Sequence, residues 1–217
     1  HKTHYYQPGF LFMPFGIYGD TESRKGKKHF IPNSAKFILE RAEVIDHERN
    51  SVTLADGRQL PYDLLIVATG TRIVPGEIDG LEGDEWHKSI HDFYTYEGAR
   101  TLRGALRNFE GGRLAIHIAE MPIKCPVAPL EFTFLADWFF TKRRMRDRVD
   151  ISFVTPLSAA FTKPTAAKTL GDLLDKKKIN VVPDFAVERV DADAKAVHCY
   201  DGRSVEYDLL VTVPTNM

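Results

Sequence analysis

Hydrophobic and polar positions follow the same pattern at two places in the chain. At each place an Asp-Gly pair precedes a short β-rich run, a Tyr-Asp pair and an uninterrupted apolar run, so that residues 56–67 recur as residues 201–212. Asp-Gly favours a tight hairpin turn, because glycine accepts positive φ angles. An uninterrupted short apolar run is typical of a parallel strand covered on both faces. The pattern predicts two similar units, each with a three-stranded β-meander leading into a buried strand, at Leu64–Ala68 and at Leu209–Val213.

Between the two copies, strand-like and helix-like segments alternate. In the longest helix-like segment, Leu130, Phe134, Leu135 and Trp138 can share one face. Alternation of this kind is typical of a doubly wound parallel sheet. In chain order, the predicted elements are a helix over Thr95–Phe109, a strand over Arg113–Ala119, a helix over Pro129–Arg148, a strand over Val149–Val154, a helix over Pro164–Lys178 and a strand over Ile179–Val182.

The duplicated unit resembles the dinucleotide-binding domain of the flavoprotein disulfide reductases, in which each of two domains carries such a meander. The resemblance implies an α/β fold with two Rossmann-like (doubly wound, FAD/NAD(P)-binding-type) domains, the first truncated at its N-terminus. We expect a partial FAD-binding domain with its linker at 1–97 and a second domain, of a degenerate NAD-binding type, at 98–217. The chain opens at His1 rather than at a methionine, and we expect both of its ends to be cuts.

The segment after Ala119 is where a dinucleotide-binding domain would need glycines. There, backbone amides at the start of a helix cradle a pyrophosphate. Residues 120–129 contain no glycine, and Pro126 and Pro129 remove two amide donors. The next strand is followed by Thr155 and Pro156 rather than by the acidic residue that holds an NAD ribose. We infer that the second domain has lost nicotinamide binding.

The same segment carries Cys125, just before the predicted start of a helix. Unpaired amides and the helix dipole stabilise a thiolate at such a position, and the adjacent Lys124 adds a positive charge. A thiolate there can act as a nucleophile or as a sulfur carrier. The alternative is a buried cysteine that behaves as a small hydrophobic residue, and position alone does not decide between the two.

Residues 122–131, with Cys125 among them, resemble the cysteine-bearing loop of the sulfide:quinone oxidoreductase family and of the flavoprotein subunit of flavocytochrome c sulfide dehydrogenase. The opening residues 5–10 are similar to a segment that passes near the flavin in those enzymes. The resemblance implies that Cys125 belongs to a redox pair beside FAD, with its partner cysteine beyond the end of this chain. It also implies that the cofactor is bound by Ala68, Thr69, Gly70, Gln7 and Pro8.

The resemblance implies a parent enzyme that oxidises sulfide through a cysteine persulfide and passes electrons through FAD to a quinone. Because the phosphate-binding turn is missing, we expect this chain alone to lack FAD and to be inactive. An NADH-dependent quinone or disulfide reductase of the same superfamily is an alternative, and so is a non-catalytic binding module on this fold. A cytochrome in place of the quinone stays open as the electron acceptor.

Composition bears on the partners, the metal content and the location of the protein. The formal net charge is −1, which gives no reason to expect nucleic acid as a partner. The two cysteines, Cys125 and Cys199, are too few for a disulfide framework or a four-ligand zinc site, so we expect no metal and a reducing compartment. No apolar run is long enough to span a bilayer. We expect a cytoplasmic protein that is peripheral to the inner membrane through segments outside this chain.

We interpret the remaining reactive or charged side chains as structural. We expect Cys199 to be a strand residue without a redox role and Glu131 to favour the helix start through its charge. The basic run over Lys142–Arg148 is interpreted as a solvated helix end, and the lysines over Lys176–Lys178 likewise.

Overall fold

The computed structural model describes residues 2–217, so that His1 lies outside the described part. The chain forms two compact units. The first comprises the described chain up to Tyr5 and the segment Arg24–Gly70, and the second comprises Tyr6–Ser23 and Thr71–Met217. The division into domains at 1–97 and 98–217 stays a prediction.

The first unit consists of two small antiparallel sheets. One sheet pairs β1 with β2, and the other is a meander of β3, β4 and β5. A short 3-10 helix at Lys27–Phe30 follows β2. The strands are β1 (Thr3–Tyr5), β2 (Arg24–Gly26), β3 (Ala42–Asp46), β4 (Ser51–Leu54) and β5 (Gln59–Pro61).

The strand predicted at Leu64–Ala68 is not formed, and this prediction was wrong. Residues 65–72 have no regular structure, and the side chains of Leu64 and Ile66 are 81% and 80% exposed. An apolar run becomes a parallel strand only where neighbouring strands accept and donate its backbone hydrogen bonds. None of the strands described for residues 2–217 pairs with this run.

The second unit is built on a five-stranded parallel sheet in the order β6-β13-β7-β8-β9. A separate antiparallel meander contains β10, β11 and β12. The strands are β6 (Ile90–His91), β7 (Gly112–Ile118), β8 (Val149–Val154), β9 (Ile179–Val182), β10 (Val187–Asp191), β11 (Ala196–Cys199), β12 (Ser204–Glu206) and β13 (Leu209–Val213). The helices are α1 (Tyr96–Asn108), α2 (Ala128–Lys142) and α3 (Pro164–Lys176). The predicted alternation of strands and helices is therefore confirmed.

The two faces of the parallel sheet have different coverings. Leu114 and Ile116 of β7 pack in one apolar cluster with residues from all three α-helices. Ala115 packs on the opposite face with Val197 and other residues of the meander. Because successive side chains of a strand point to opposite faces, β7 is buried on both sides, as its continuous apolar run predicts.

The two copies of the sequence repeat form the same turn. Gly57 and Gly202 have φ angles of +84° and +88°. In the first turn the amide of Leu54 donates to the carbonyl of the arginine that follows Asp-Gly, at 2.8 Å. In the second turn the amide of Cys199 makes the same hydrogen bond, at 2.9 Å. The aspartate accepts the amide of the same arginine in both turns. The hairpin prediction from Asp-Gly is confirmed twice.

Helix α2 buries only part of the predicted face, at Leu130, together with positions outside that face. Trp138, placed on the inward face by the sequence pattern, is 42% exposed, whereas Phe132, Ala136 and Phe140 are fully buried. The buried positions follow a four-residue spacing, which keeps them on one side of the helix. Because α2 is apolar almost all round, its pattern did not mark one face.

The basic run after α2 is solvated, as interpreted, at four of its five basic residues, but Arg146 is half-buried and several of the side chains bond to neighbouring elements. The helix ends at Lys142, and the arginines that follow it cross to neighbouring elements. Arg143 donates to the carbonyl of Leu106 at 2.8 Å, which satisfies an acceptor at the end of α1. Arg146 and Lys177 both bind the buried carboxylate of Asp137, at 2.8 and 2.6 Å.

None of the helices in residues 2–217 has both the length and the apolar character that crossing a membrane requires.

Candidate functional site

Cys125 lies in the loop that joins β7 to α2, in the second unit. Its thiol is free and the residue is partly buried. The backbone turns into α2 directly after it, where the amide of Ala128 donates to the carbonyl of Cys125 at 3.2 Å. This is the predicted position beside a helix start, where amides without helical partners favour a negative charge.

A cavity of about 370 Å³ opens beside this loop, entirely within the second unit. Most of its wall is apolar or aromatic, and a few polar groups converge on it, which is the usual character of a small-molecule site. The residues that line it are Gln7, Pro8, Phe10, Leu11, Phe12, Phe93, Tyr94, Lys124, Cys125, Ala128 and Glu131.

The cavity brings together three of the predicted site residues. Gln7 and Pro8 begin a 3-10 helix at Gln7–Leu11 and line the cavity with Cys125. The loop and this helix are joined directly, because Nζ of Lys124 donates to Oε1 of Gln7 at 3.3 Å. Glu131, interpreted from the sequence as a helix-start charge, also lines the cavity.

Ala68, Thr69 and Gly70 lie in the irregular end of the first unit, and all three are exposed. Gly70 has a φ angle of +74°, which suits glycine and strains other residues. Apart from Gly70 and its two chain neighbours, no atom of residues 2–217 lies within 4 Å of the position that a Cβ would occupy there. The backbone at this point is therefore open to a ligand, and the assignment of the three residues to FAD stays a prediction.

Tyr94 belongs to this site, although the sequence analysis did not single it out. Its hydroxyl donates to the carbonyl of Cys125 at 2.8 Å, across 31 positions of sequence. Nζ of Lys124 lies 5.0 Å from the centre of the Tyr94 ring, which is within the range of a cation–π contact. Burial raises the pKa of the Tyr94 phenol, so that the hydroxyl keeps its proton and can donate.

Lys124 is exposed as a whole residue, but its ammonium group lies against the ring and the cavity wall. Loss of solvent at that end lowers the pKa of Lys124, while the nearby Asp92 carboxylate and Cys125 act in the opposite direction. The charge at Lys124 is thus partly desolvated, which strengthens its interaction with an anion in the cavity.

Cys199 lies far from this arrangement in sequence and in a different element. It occupies β11, is 2% exposed and packs in the cluster between the sheet and the meander. The structural interpretation of Cys199 as a strand residue agrees with this position.

No family model matches the chain. The mitochondrial sulfide:quinone oxidoreductase of Dictyostelium discoideum is 27% identical over 221 residues, which cover 98% of this chain and 48% of that protein. The chain is similar to the sulfide:quinone oxidoreductases along nearly its whole length. The sulfide-quinone reductase of Aquifex aeolicus is also 27% identical, over 79% of this chain and 40% of that protein.

The comparison with solved structures agrees with the sequence comparison. The crystal structure of the sulfide:quinone oxidoreductase from Aquifex aeolicus matches 99% of this chain and 51% of its own length, with a TM-score of 0.80 and 21% identity. The predicted α/β fold class is thereby confirmed. The chain spans about half the length of the sulfide:quinone oxidoreductases of Dictyostelium discoideum and Schizosaccharomyces pombe.

Proposed function

We propose that this chain is part of an FAD-dependent oxidoreductase that oxidises sulfide through Cys125 and passes the electrons to a quinone. The observation that carries the proposal is the position of Cys125 at an apolar cavity beside a helix start, with the charged Lys124 lining the same cavity. Similarity to sulfide:quinone oxidoreductases along the whole chain supports the choice of sulfide and quinone.

The sulfur chemistry starts from Cys125 in a disulfide with a second thiol. Hydrosulfide attacks the sulfur of Cys125, the disulfide bond breaks, and the second cysteine leaves as a thiolate. A persulfide then remains on Cys125, and the proton of hydrosulfide passes to solvent. The two electrons of the oxidation are then held by the reduced cysteine pair. Transfer of the outer sulfur from Cys125 to a nucleophilic acceptor, such as sulfite or a thiol, leaves two thiols. FAD, when bound, would accept two electrons as these thiols form the disulfide again, and would deliver the electrons to the quinone.

The residues around Cys125 have separate tasks in this proposal. The charge of Lys124 attracts the hydrosulfide anion and stabilises the persulfide anion that forms. The aromatic and aliphatic wall excludes water, so that this charge acts in a medium of low dielectric constant. Gln7 holds the ammonium group of Lys124 at the cavity rim.

The same cavity suits the planar, largely apolar ring system of a flavin, and Gln7 and Pro8 would contact it there. Ala68, Thr69 and Gly70 would contribute backbone contacts, for which the open, left-handed Gly70 is suited. We expect this chain by itself to lack FAD, because a glycine-rich phosphate turn does not occur in its sequence.

We propose no nicotinamide cofactor in the second unit. The loop between β7 and α2 offers no glycine, and the residue before α2, Val127, has no side-chain cap to prepare an anion site. The residue after β8 is Thr155, which is fully buried and donates its amide to Val182 rather than facing a ribose. These features of the loop and of Thr155 speak against the NADH-dependent alternative.

The name of the Dictyostelium relative places that protein in mitochondria. For this chain, a cytoplasmic location with peripheral membrane association stays a prediction.

Sulfide-dependent quinone reduction by the parent enzyme tests the proposal. We expect Cys125→Ser to abolish the activity, while Cys199→Ser, which removes the buried thiol of β11, leaves it nearly unchanged. Equal rates for the parent enzyme and Cys125→Ser would remove the proposed mechanism. An unreactive parent enzyme without FAD would instead favour a binding module on this fold.

A further inference from the structure

One side chain contacts both the backbone and the charged neighbour of the reactive cysteine. The Tyr94 hydroxyl donates to the Cys125 carbonyl at 2.8 Å, and the face of the same ring lies 5.0 Å from the Lys124 ammonium group. The two contacts use different parts of the side chain. A phenylalanine would keep the ring contact and lose only the hydrogen bond, whereas a leucine would lose both.

The backbone of Tyr94 is held in place by a buried carboxylate. Asp92 is fully buried and accepts the amides of Tyr94 and Thr95 at 2.8 and 2.7 Å, and the Thr95 hydroxyl at 3.0 Å. His87 is 3.3 Å from the same carboxylate. Thr95 in turn caps α1 by accepting the amide of Gly98. The start of α1 thus holds the Tyr94 backbone in one conformation.

The ring of Tyr94 is also held by packing. Tyr94 is buried and lies against Phe93, whose ring stacks on Phe132 of α2 with 4.7 Å between ring centres. A side chain that is fixed at its backbone and at its ring can transmit a fixed position to what it binds.

We propose that Tyr94 is a positioning residue for Cys125, which it serves by holding the loop carbonyl with its hydroxyl and the Lys124 charge with its ring. The inference rests on the proposed function for its biological meaning. The two contacts of Tyr94 lead to separate predictions. One concerns the mobility of the loop, and the other concerns the charge beside the thiol.

The charge beside Cys125 can be read with two alkylating reagents of similar size, iodoacetate and iodoacetamide. An ammonium group near the thiol speeds the reaction of the anionic reagent relative to the neutral one, and salt weakens this effect. We expect Lys124→Met to lower the rate ratio of iodoacetate to iodoacetamide at Cys125 about threefold at low salt. Lys124→Arg should keep the ratio, because it keeps the charge. Peptide mapping assigns the alkylation to Cys125 rather than Cys199.

The Tyr94 variants then test the proposal. We expect Tyr94→Leu to lower the rate ratio nearly as far as Lys124→Met does, because the ring that holds the ammonium group is gone. Tyr94→Phe should keep the ratio, since it keeps the ring. Hydrogen exchange of the Ala128, Leu130 and Glu131 amides, which donate to carbonyls of the loop, should be about fivefold faster in Tyr94→Phe, because one hydrogen bond that holds the Cys125 carbonyl is missing.

Either of two results would overturn the proposal. One is a wild-type rate ratio in a folded Tyr94→Leu variant when Lys124→Met lowers it, which would show that Lys124 acts without the ring. The other is unchanged exchange of the Ala128, Leu130 and Glu131 amides in Tyr94→Phe. If Tyr94→Leu does not fold, the exchange measurement decides alone. Neither measurement uses sulfide or FAD, so the outcome is distinguishable from a failure of the proposed function.

Discussion

Replacing the buried His117 with leucine should make the stability of the second unit less dependent on pH. His117 lies in β7, is fully buried, and its Nδ1 is 2.9 Å from the hydroxyl of Thr212 in β13. Within the described residues its Nε2 has no hydrogen-bond partner, and Phe185 packs edge-on against the ring. The site therefore accepts a neutral imidazole and penalises a charged one.

The size of the effect follows from the pKa. Burial lowers the pKa of His117 from 6.5 to about 4. Between these values the unfolded chain binds the proton and the folded chain does not. The free energy of unfolding therefore has its full value at neutral pH and falls as the pH decreases through this range. From pH 7 to pH 5 the loss due to His117 alone is about 2 kcal/mol.

Urea unfolding followed by tryptophan fluorescence measures this loss, because both tryptophans, Trp86 and Trp138, belong to the second unit. The free energy of unfolding should fall by about 2 kcal/mol less in His117→Leu than in the unchanged chain when the pH is lowered from 7 to 5. His47→Leu controls for loss of a histidine, since His47 is exposed in the first unit. Equal pH slopes for the unchanged chain and His117→Leu would refute the reasoning.

Two matched pairs of variants test the packing. Gly98→Ala should lower the free energy of unfolding in urea by about 2 kcal/mol or more, because its Cβ would lie 2.1 Å from the Asp92 carboxylate. Gly104→Ala, with open space around it in the same helix, should raise the free energy of unfolding by about 0.5–1 kcal/mol. A stabilised Gly98→Ala variant would contradict the packing. Asp137→Asn should cost about 3 kcal/mol in the same assay, because it removes the buried carboxylate that pairs with two half-buried cations. Asp172→Asn, whose carboxylate is exposed, should leave the free energy of unfolding nearly unchanged. Similar losses in both variants would contradict the assigned role of burial.

The sequence predicts those parts of the fold that depend on local pattern. The strand over Val149–Val154 and the two Asp-Gly turns form as predicted, since each is specified by a few adjacent residues. The run at Leu64–Ala68 has the same local pattern as Leu209–Val213, yet only the latter has strands beside it. Pairing, which the run itself does not encode, decides between the two.

The candidate site was predicted only in part, for a similar reason. Cys125 could be found because a cysteine replaces glycines at a helix start. Tyr94 could not, because its contact with Cys125 spans 31 positions and depends on how α1 and α2 pack. The pattern of Asp92 and Thr95 before α1 is a helix-start signal that marks the turn, but it does not reveal which loop the tyrosine reaches.

Mass spectrometry of Cys125 after sulfide treatment tests most directly whether this cysteine carries sulfur. The native chain is first converted to a mixed disulfide with a thiopyridyl reagent and then treated with sulfide and iodoacetamide, with Cys125→Ser as the control. We expect the Cys125 peptide to gain one sulfur atom, trapped in alkylated form, while the buried Cys199 gains none. Recovery of Cys125 only as the plain alkylated thiol, or no mixed disulfide at Cys125 in the folded chain, would contradict the account.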